Sequence, residues 1–346
     1  MTLAALALCA ATAVAPAAAP GDSTASALDS IVARAARDGF AGDVMVVRGS
    51  RVLLDRADGP ADRERHVPNT PATRFQIGSL TKQFTAAAIL LLAQRGALAS
   101  SDPITKWIPE SAPRWNGVTL HALLTHTAGI PDSDFADIPA PEDSALTPGE
   151  IAVRIALRRP LDFAPGSRFA YSNLGYLVLG RVIELASGMP YERFVTQTLL
   201  VPLALADTGF EPGGAPRDAT GYTNRRGGVR LAPTMNLHRS NACGGLWSTT
   251  ADLVRWEQAL FGGRVLGPAA FTEMTTPAIG DYACGIHHRT SPGREVLYHT
   301  GRTRGFESVL GWYPQDSVAI AVLSNLDGSR PNVLYDALAP AAHATP

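Results

Sequence analysis

Arg74-Phe75-Gln76-Ile77-Gly78-Ser79-Leu80-Thr81-Lys82 runs from a strand-like segment through a glycine into a long apolar helical run that reaches Gln94. This passage decides the fold, because it sets a hydroxyl and an amine one helical turn apart, and residues i and i+3 share a helix face. Gly78 permits a tight entry, so Ser79 stands at the helix amino end, where unpaired N–H groups and the macrodipole favour developing negative charge. That is a position for a nucleophile. Taken alone, S-x-x-K equally describes a helix with an ordinary serine cap and a solvated lysine, so its context has to choose.

The context supplies two further pieces. Tyr171-Ser172-Asn173 follows Phe163-Ala164-Pro165-Gly166-Ser167-Arg168-Phe169, and His299-Thr300-Gly301 ends the strand-like Glu295-Val296-Leu297-Tyr298. With Ser79 and Lys82, these resemble in kind and order the S-x-x-K, Y-x-N and K-T-G or H-T-G motifs of the penicillin-recognising serine hydrolases. Leu123 to Ile130, Tyr171 to Gly180 and Gly244 to Thr249 look like the branch that holds class C β-lactamases, serine D,D-carboxypeptidases and related esterases. The resemblance runs from about residue 28 to about residue 340. It implies a two-lobed serine acyl hydrolase, with all three motifs converging on a cleft between a sheet and a helical lobe.

Serine hydroxyl needs a base to take its proton. Lys82 can serve only when neutral, a state that burial or a cationic neighbour favours, and Tyr171 as a phenolate is the other candidate. The two are expected to share protons as a coupled pair, so the base stays unassigned. By resemblance, Asn173 holds an acylamino group of the substrate and orients Lys82; the plainer reading is an Asx-turn after the tyrosine. His299 stands where many relatives carry lysine. A neutral imidazole keeps a hydrogen bond toward the Ser–Tyr region but removes a permanent charge, closer to the H-T-G of some D,D-peptidases and esterases than to the K-T-G of class C β-lactamases. Thr300 and Gly301 complete that motif, the glycine letting substrate lie against strand backbone. The implied oxyanion hole is the backbone N–H groups of Ser79 and Arg302, a pair of donors worth ~3 kcal/mol or more in such sites.

The pattern around these motifs is α+β. Ser26 to Arg37 has helical spacing, with Leu28, Ile31, Val32 and Ala35 on one stripe. Asp43 to Val47 and Val52 to Arg56 read as strands turning at Gly49-Ser50, and Glu295 to His299, Phe306 to Tyr313 and Val318 to Ser324 as three more. A last helix follows from about Asn332 to Ala339. One antiparallel sheet built from both termini and flanked by helices is therefore expected, its α/β lobe covering about 26–75 and 285–342. The interval of about 76–284 reads as an inserted helical lobe: Leu80 to Gln94, Leu120 to Leu124, Leu174 to Ala186, Tyr191 to Leu199 and Ala251 to Leu260 carry apolar faces bounded by Thr, Pro or Gly.

Composition excludes several functions. With Lys+Arg 30 against Asp+Glu 31 and no basic run, nothing points to nucleic acid or anionic lipid. No Walker or G-x-G-x-x-G pattern cradles a nucleotide, no G-x-S-x-G elbow surrounds a serine, and His121 and His126 lie off one helix face without metal-ligand spacing. Neither cofactor nor metal is expected. Leu3 to Ala19 is apolar and ends in Ala15-Pro16-Ala17, so residues 1–19 read as a signal peptide, lacking a basic start, and 20–346 as one exported two-lobed domain, periplasmic or secreted, with no stable membrane insertion once the leader is removed. Cys243 and Cys284 then remain, either joined or as two separate buried thiols. The expected partner is a small molecule or peptide: an acyl-D-amino acid, an ester or a β-lactam. D-alanyl-D-alanine carboxypeptidase is the first expectation, with esterase, transesterase or β-lactamase of the same fold as alternatives. A penicillin- or peptidoglycan-binding protein without turnover is the rival from another class. Arg302 and Arg304, or Arg289 and Arg294 upstream, are the cations a carboxypeptidase would use for the substrate's free C-terminus. The sequence leaves oligomeric state open.

Overall fold

The computed structural model describes residues 23–132, 146–210, 217–225, 228–234, 237–291 and 293–344. The proposed leader therefore lies outside the described residues. The main sheet has six strands: β1 (Gly42–Arg48), β2 (Arg51–Asp58), β3 (His287–Thr290), β4 (Glu295–Thr303), β5 (Phe306–Tyr313) and β6 (Val318–Ser324). Their spatial order is β2-β1-β6-β5-β4-β3, each pair antiparallel, so the two termini meet where Gly42 pairs with Ser324 and Arg48 with Val318. β6 is buried along its whole length because both faces are covered.

The covering is divided by strand alternation. Val44, Val46, Ile320 and Val322 point to one face, where they pack with Leu28 and Val32 of α1 (Ser23–Arg37), as do Leu334 and Leu338 of the C-terminal helix (Pro331–His343). Val47, Ala319, Ala321 and Leu323 point to the other and join the larger core. Each buried Val, Leu or Ile contributes roughly 1.5–3 kcal/mol relative to exposure. The sheet's second face is covered by the helix Thr250–Phe261, which packs against β1 and β6. This corrects its expected place in the helical lobe: an apolar stripe declares that a helix is buried, not against what. Asp43 clamps this contact. Its carboxyl accepts from Thr250 Oγ1 at 2.5 Å and from Val44 N at 3.0 Å, and burial pushes its pKa up to about 7.

The second lobe is built around α2 (Thr81–Gln94), whose residues from Thr81 to Leu92 are all buried. A helix apolar on every side belongs in a core rather than at a surface. Phe84 stacks on Trp256 with ring centroids 4.0 Å apart, tying the central helix to the layer behind the sheet. α3 (Asn173–Ser187) packs beside α2 and ends at Gly188, which has the left-handed φ of +70° that a C-cap glycine supplies. The middle of the chain is not purely helical: Tyr222–Arg225 and Gly228–Leu231 form a hairpin whose first strand runs parallel to Leu326–Asp327. Cys243 and Cys284 are free and buried.

Candidate active site

The first structural decision at the site is made by two glycines. Phe75–Gln76 pairs with Trp247–Ser248, and Ile77 N donates to Leu246 O at 3.0 Å, so the chain is held up to Gly78. Gly78 then turns with φ of +52°, and a Cβ there would lie 2.8 Å from Arg302 N. Across the gap, a Cβ on Gly301 would lie 2.0 Å from Ile77 O and 2.3 Å from Ser308 Oγ. These approaches are closer than any side chain tolerates, so both positions require glycine. β3 pairs only with Glu295–Tyr298, and from His299 to Thr303 the outer edge of β4 instead backs onto the turn Gly78–Leu80. The backbone of Arg302 is thereby brought beside the residue that precedes Ser79.

Ser79 sits in this single 3₁₀ turn, partly exposed, and the turn feeds directly into α2. Lys82 is fully buried. Its Nζ donates to Ser79 Oγ at 3.0 Å, Asn173 Oδ1 at 2.8 Å and the Cys243 carbonyl at 2.7 Å. An ammonium has three protons, and here each has an acceptor. The ring of Tyr171 lies 4.8 Å and that of Tyr176 5.5 Å from the same nitrogen, so aromatic faces close the site around it.

The Tyr171–Asn173 motif is held from behind. His126 is buried with a left-handed φ of +57°. Its carbonyl accepts from Ala170 N at 2.9 Å and its Nδ1 from Ser172 N at 3.1 Å, while its ring lies 4.2 Å from that of Tyr171. Burial first, then the proximity of Lys82, His299 and His287, holds its pKa well below the usual histidine range. His126 thus splints the tyrosine motif, while Thr125 and Thr127 hold the turn around it through their hydroxyls. Ser172 caps α3 by accepting from Gly175 N at 3.0 Å, which leaves Asn173 as the first helical residue, free to aim its amide at Lys82.

His299 stands apart from this network. Its Nδ1 meets the Thr300 carbonyl at 2.6 Å and its Nε2 meets Tyr282 Oη at 3.2 Å. A carbonyl can only accept, so Nδ1 carries the proton and Nε2 accepts from the tyrosine. Both nitrogens are engaged and the residue is 2% exposed. Burial, with Lys82 and His287 nearby, depresses its pKa to about 3, so the imidazole is neutral. Thr300 is exposed on the strand edge. The Arg302 guanidinium turns away to Asp327 at 2.6 Å and Glu307 at 3.8 Å, leaving only its backbone by Gly78. Of the other arginines weighed for a carboxylate, Arg289 pairs with Asp336 at 2.5 Å and Arg294 with Asp316 at 2.8 Å. Among the described residues Arg304 has no ion pair.

The sequence-derived set Ser79, Lys82, Tyr171 and Asn173 is thus brought together around one nitrogen, with Gly301 and the Arg302 backbone against the same turn. Three contributors were not anticipated. The Cys243 carbonyl carries no side-chain signal, Tyr282 belongs to no motif, and Asp132 is a lone acid that receives Asn173 Nδ2 at 3.2 Å.

A family model described as Beta-lactamase matches residues 25–345. A Bacillus subtilis protein carrying the name penicillin-binding protein PbpX is 30% identical over 271 residues, covering 75% of this chain and 67% of that protein. Staphylococcus aureus Protein flp is 28% identical, and the match spans 82% of this chain but 59% of that relative's length. Among solved structures, the D-amino acid amidase of Ochrobactrum anthropi SV3 superposes with a TM-score of 0.83 at 26% identity, covering 92% of this chain and 99% of the amidase.

Proposed function

The chain belongs to the Beta-lactamase family, and from that premise we propose that it is a serine acyl hydrolase working through an acyl-enzyme on Ser79, with D-amino acid amides and esters with small neutral leaving groups as its substrates. The observation that carries this reading is the 3.0 Å contact between Ser79 Oγ and a buried Lys82 Nζ whose other two hydrogen bonds are already taken. Ser79 Oγ attacks the substrate carbonyl carbon, and its proton passes to whichever of Lys82 and Tyr171 is deprotonated in the reacting complex; Lys82 accepts it only as the neutral amine, which keeps its bonds to Asn173 and Cys243 and turns its lone pair to Ser79 Oγ. The oxyanion is met by the N–H groups of Ser79 and Arg302, fixed donors that need no reorganisation during reaction. The same pair returns the proton to the leaving amine or alcohol, and water then resolves the ester on Ser79. No cofactor takes part.

The leaving-group preference follows from charge. His299 is neutral and enclosed, and three of the four candidate arginines are spent on carboxylates. A leaving group that carries a carboxylate would therefore meet little permanent positive charge. The similarity to a D-amino acid amidase supports the same preference. Arg304 favours a second reading, D-alanyl-D-alanine carboxypeptidase, because its guanidinium has no ion pair among the described residues.

Turnover of a D-amino acid amide, a short-chain aryl ester, a D-Ala-D-Ala peptide and a chromogenic cephalosporin should be measured side by side. Faster cleavage of amide and ester is expected. A preference of ~10-fold or more for the free peptide over its C-terminal amide, erased by Arg304→Ala, would hand the protein to the carboxypeptidase reading, since a charged hydrogen bond is worth ~1.5–3 kcal/mol. An acyl label stable for hours would make it a binding protein. Export belongs to the same proposal: the protein expressed into a bacterial periplasm should carry a new amino terminus between about Pro16 and Asp22, and intact Met1 in the cytosol would refute this.

A further inference from the structure

Asn173 offers Lys82 its amide oxygen, but an amide can be turned over. Rotated by half a turn, it would present Nδ2 to Lys82 Nζ, a donor facing a donor, and Lys82 would lose one of its three acceptors. Nothing in the tyrosine motif itself prevents the turn. What opposes it is Asp132, from the segment after the His126 turn. Its Oδ2 accepts from Asn173 Nδ2 at 3.2 Å, and its Oδ1 accepts from Asn173 N at 2.8 Å and Leu174 N at 3.3 Å. Arg159 Nη1 in turn donates to the Asp132 backbone carbonyl at 3.3 Å. An ionised carboxylate accepts only, so the half of the Asn173 amide that faces it must be the nitrogen.

We infer that Asp132 is a positioning residue: it fixes the Asn173 amide with its oxygen toward Lys82, and thereby the direction in which Lys82 meets Ser79. The inference rests on the reading of Ser79 and Lys82 as the reacting pair. It also has a plain rival, because the two backbone N–H groups lie at the amino end of α3, and Asp132 would cap that helix whether or not Asn173 mattered.

The test separates capping from positioning. The rate at which a fluorescent fluorophosphonate labels the protein is measured for Asp132→Ala, Asp132→Asn, Asn173→Ala and the Asp132→Ala/Asn173→Ala pair, alongside each protein's Tm. Asp132→Ala should slow the labelling step ~10-fold with little change in probe affinity, since small misplacements of reacting groups are costly. Asp132→Asn, whose single oxygen can still take the backbone N–H groups but whose NH2 then faces Asn173 Nδ2, should keep Tm near that of the parent and yet label as slowly as Asp132→Ala. In the Asn173→Ala background, removing Asp132 should cost less than 2-fold in rate while Tm still falls, because the residue through which it acts is gone. The same ~10-fold loss in that background, or a lowered Tm with an unchanged labelling rate in Asp132→Ala alone, would overturn the inference. Ser79→Ala distinguishes the two layers of the argument: label on that variant removes the reading of the site itself, whereas a silent Ser79→Ala beside a fast Asp132→Ala removes only the role of Asp132.

Discussion

Lys82 and His299 are both buried nitrogen bases close to Ser79, and they are satisfied in opposite ways. Lys82 reaches three acceptors on three segments, and one of them, the Ser79 hydroxyl, is partly exposed and able to react. His299 spends both nitrogens on its own wall, on the Thr300 carbonyl and the Tyr282 hydroxyl, and keeps none for the cleft. Under the proposed mechanism the helical side moves the proton. The strand side is built to hold still, and it offers the cleft the backbone of β4 rather than a charge. Burial has a different use on each side: on one it keeps water from an amine, on the other it keeps an imidazole neutral.

The comparison breaks most easily at Lys82. Lys82→Ala should lower the acylation rate roughly 10²–10⁴-fold, the range for loss of a positioned general base, while His299→Gln should cost far less. Stopped-flow labelling of both variants checks this, and comparable losses would mean that the two sides share the proton work. Next in size is Gly301→Ala. Its new Cβ would stand 2.0 Å from Ile77 O, so β4 has to move off the Gly78 turn and take the Arg302 N–H with it. A loss of ~10²-fold in kcat/KM with a folded circular dichroism spectrum is expected, because a displacement of about 1 Å costs that much in well-ordered sites. Activity within 2-fold of the parent would show that the edge of β4 is not part of the site.

A smaller effect should separate the sides by pH. The His299 pKa lies near about 3 in the fold, below its ordinary 6.5. Between those values the unfolded chain binds a proton that the folded chain refuses, so stability present above pH 6.5 is lost as pH falls toward 3. His299→Asn removes this titration and leaves those of His126 and His287, which are depressed in the same direction. Relative to the parent, the variant should gain ~1.6 kcal/mol of stability between pH 6.5 and pH 5, the slope rising from half toward the full ~1.4 kcal/mol per pH unit of one proton. Urea unfolding at the two pH values measures the difference, and a constant gap between parent and variant would mean that His299 is not held neutral by burial.

How far the sequence could be read follows the same division. The strands β5 and β6 were legible to the residue, because aromatic and β-branched residues bounded by turn residues mark a strand and its ends. Ser79 and Lys82 were legible as an i, i+3 pair at a helix start, and Tyr171 and Asn173 through the resemblance of their motif to Y-x-N. His299 was located but not its bonding, since Tyr282 lies 17 residues away with no motif to mark it. Asp132 and the Cys243 carbonyl were hidden for different reasons: an isolated aspartate after a turn looks like any other surface acid, and a main-chain acceptor leaves no trace in the sequence. The same blindness put the helix Thr250–Phe261 in the wrong layer, because amphipathic spacing names the buried face without naming its neighbour.

The finest test lies inside the helical side, between two adjacent residues. Ser172 and Asn173 both sit at the start of α3, but Ser172 Oγ only accepts from Gly175 N, whereas Asn173 Oδ1 accepts from Lys82. What Ser172 gives to the tyrosine motif is its backbone N–H, which donates to His126 Nδ1 and which no side-chain substitution removes. Ser172→Ala should therefore cost about 1–2 kcal/mol of stability, the value of a buried N-cap whose partner is left unpaired, and leave kcat within 2-fold. Asn173→Ala should do the reverse, lowering kcat well before it lowers Tm. If Ser172→Ala slowed turnover as much as Asn173→Ala, the start of α3 would act as one rigid block, and stability and proton transfer on that side could not be separated residue by residue.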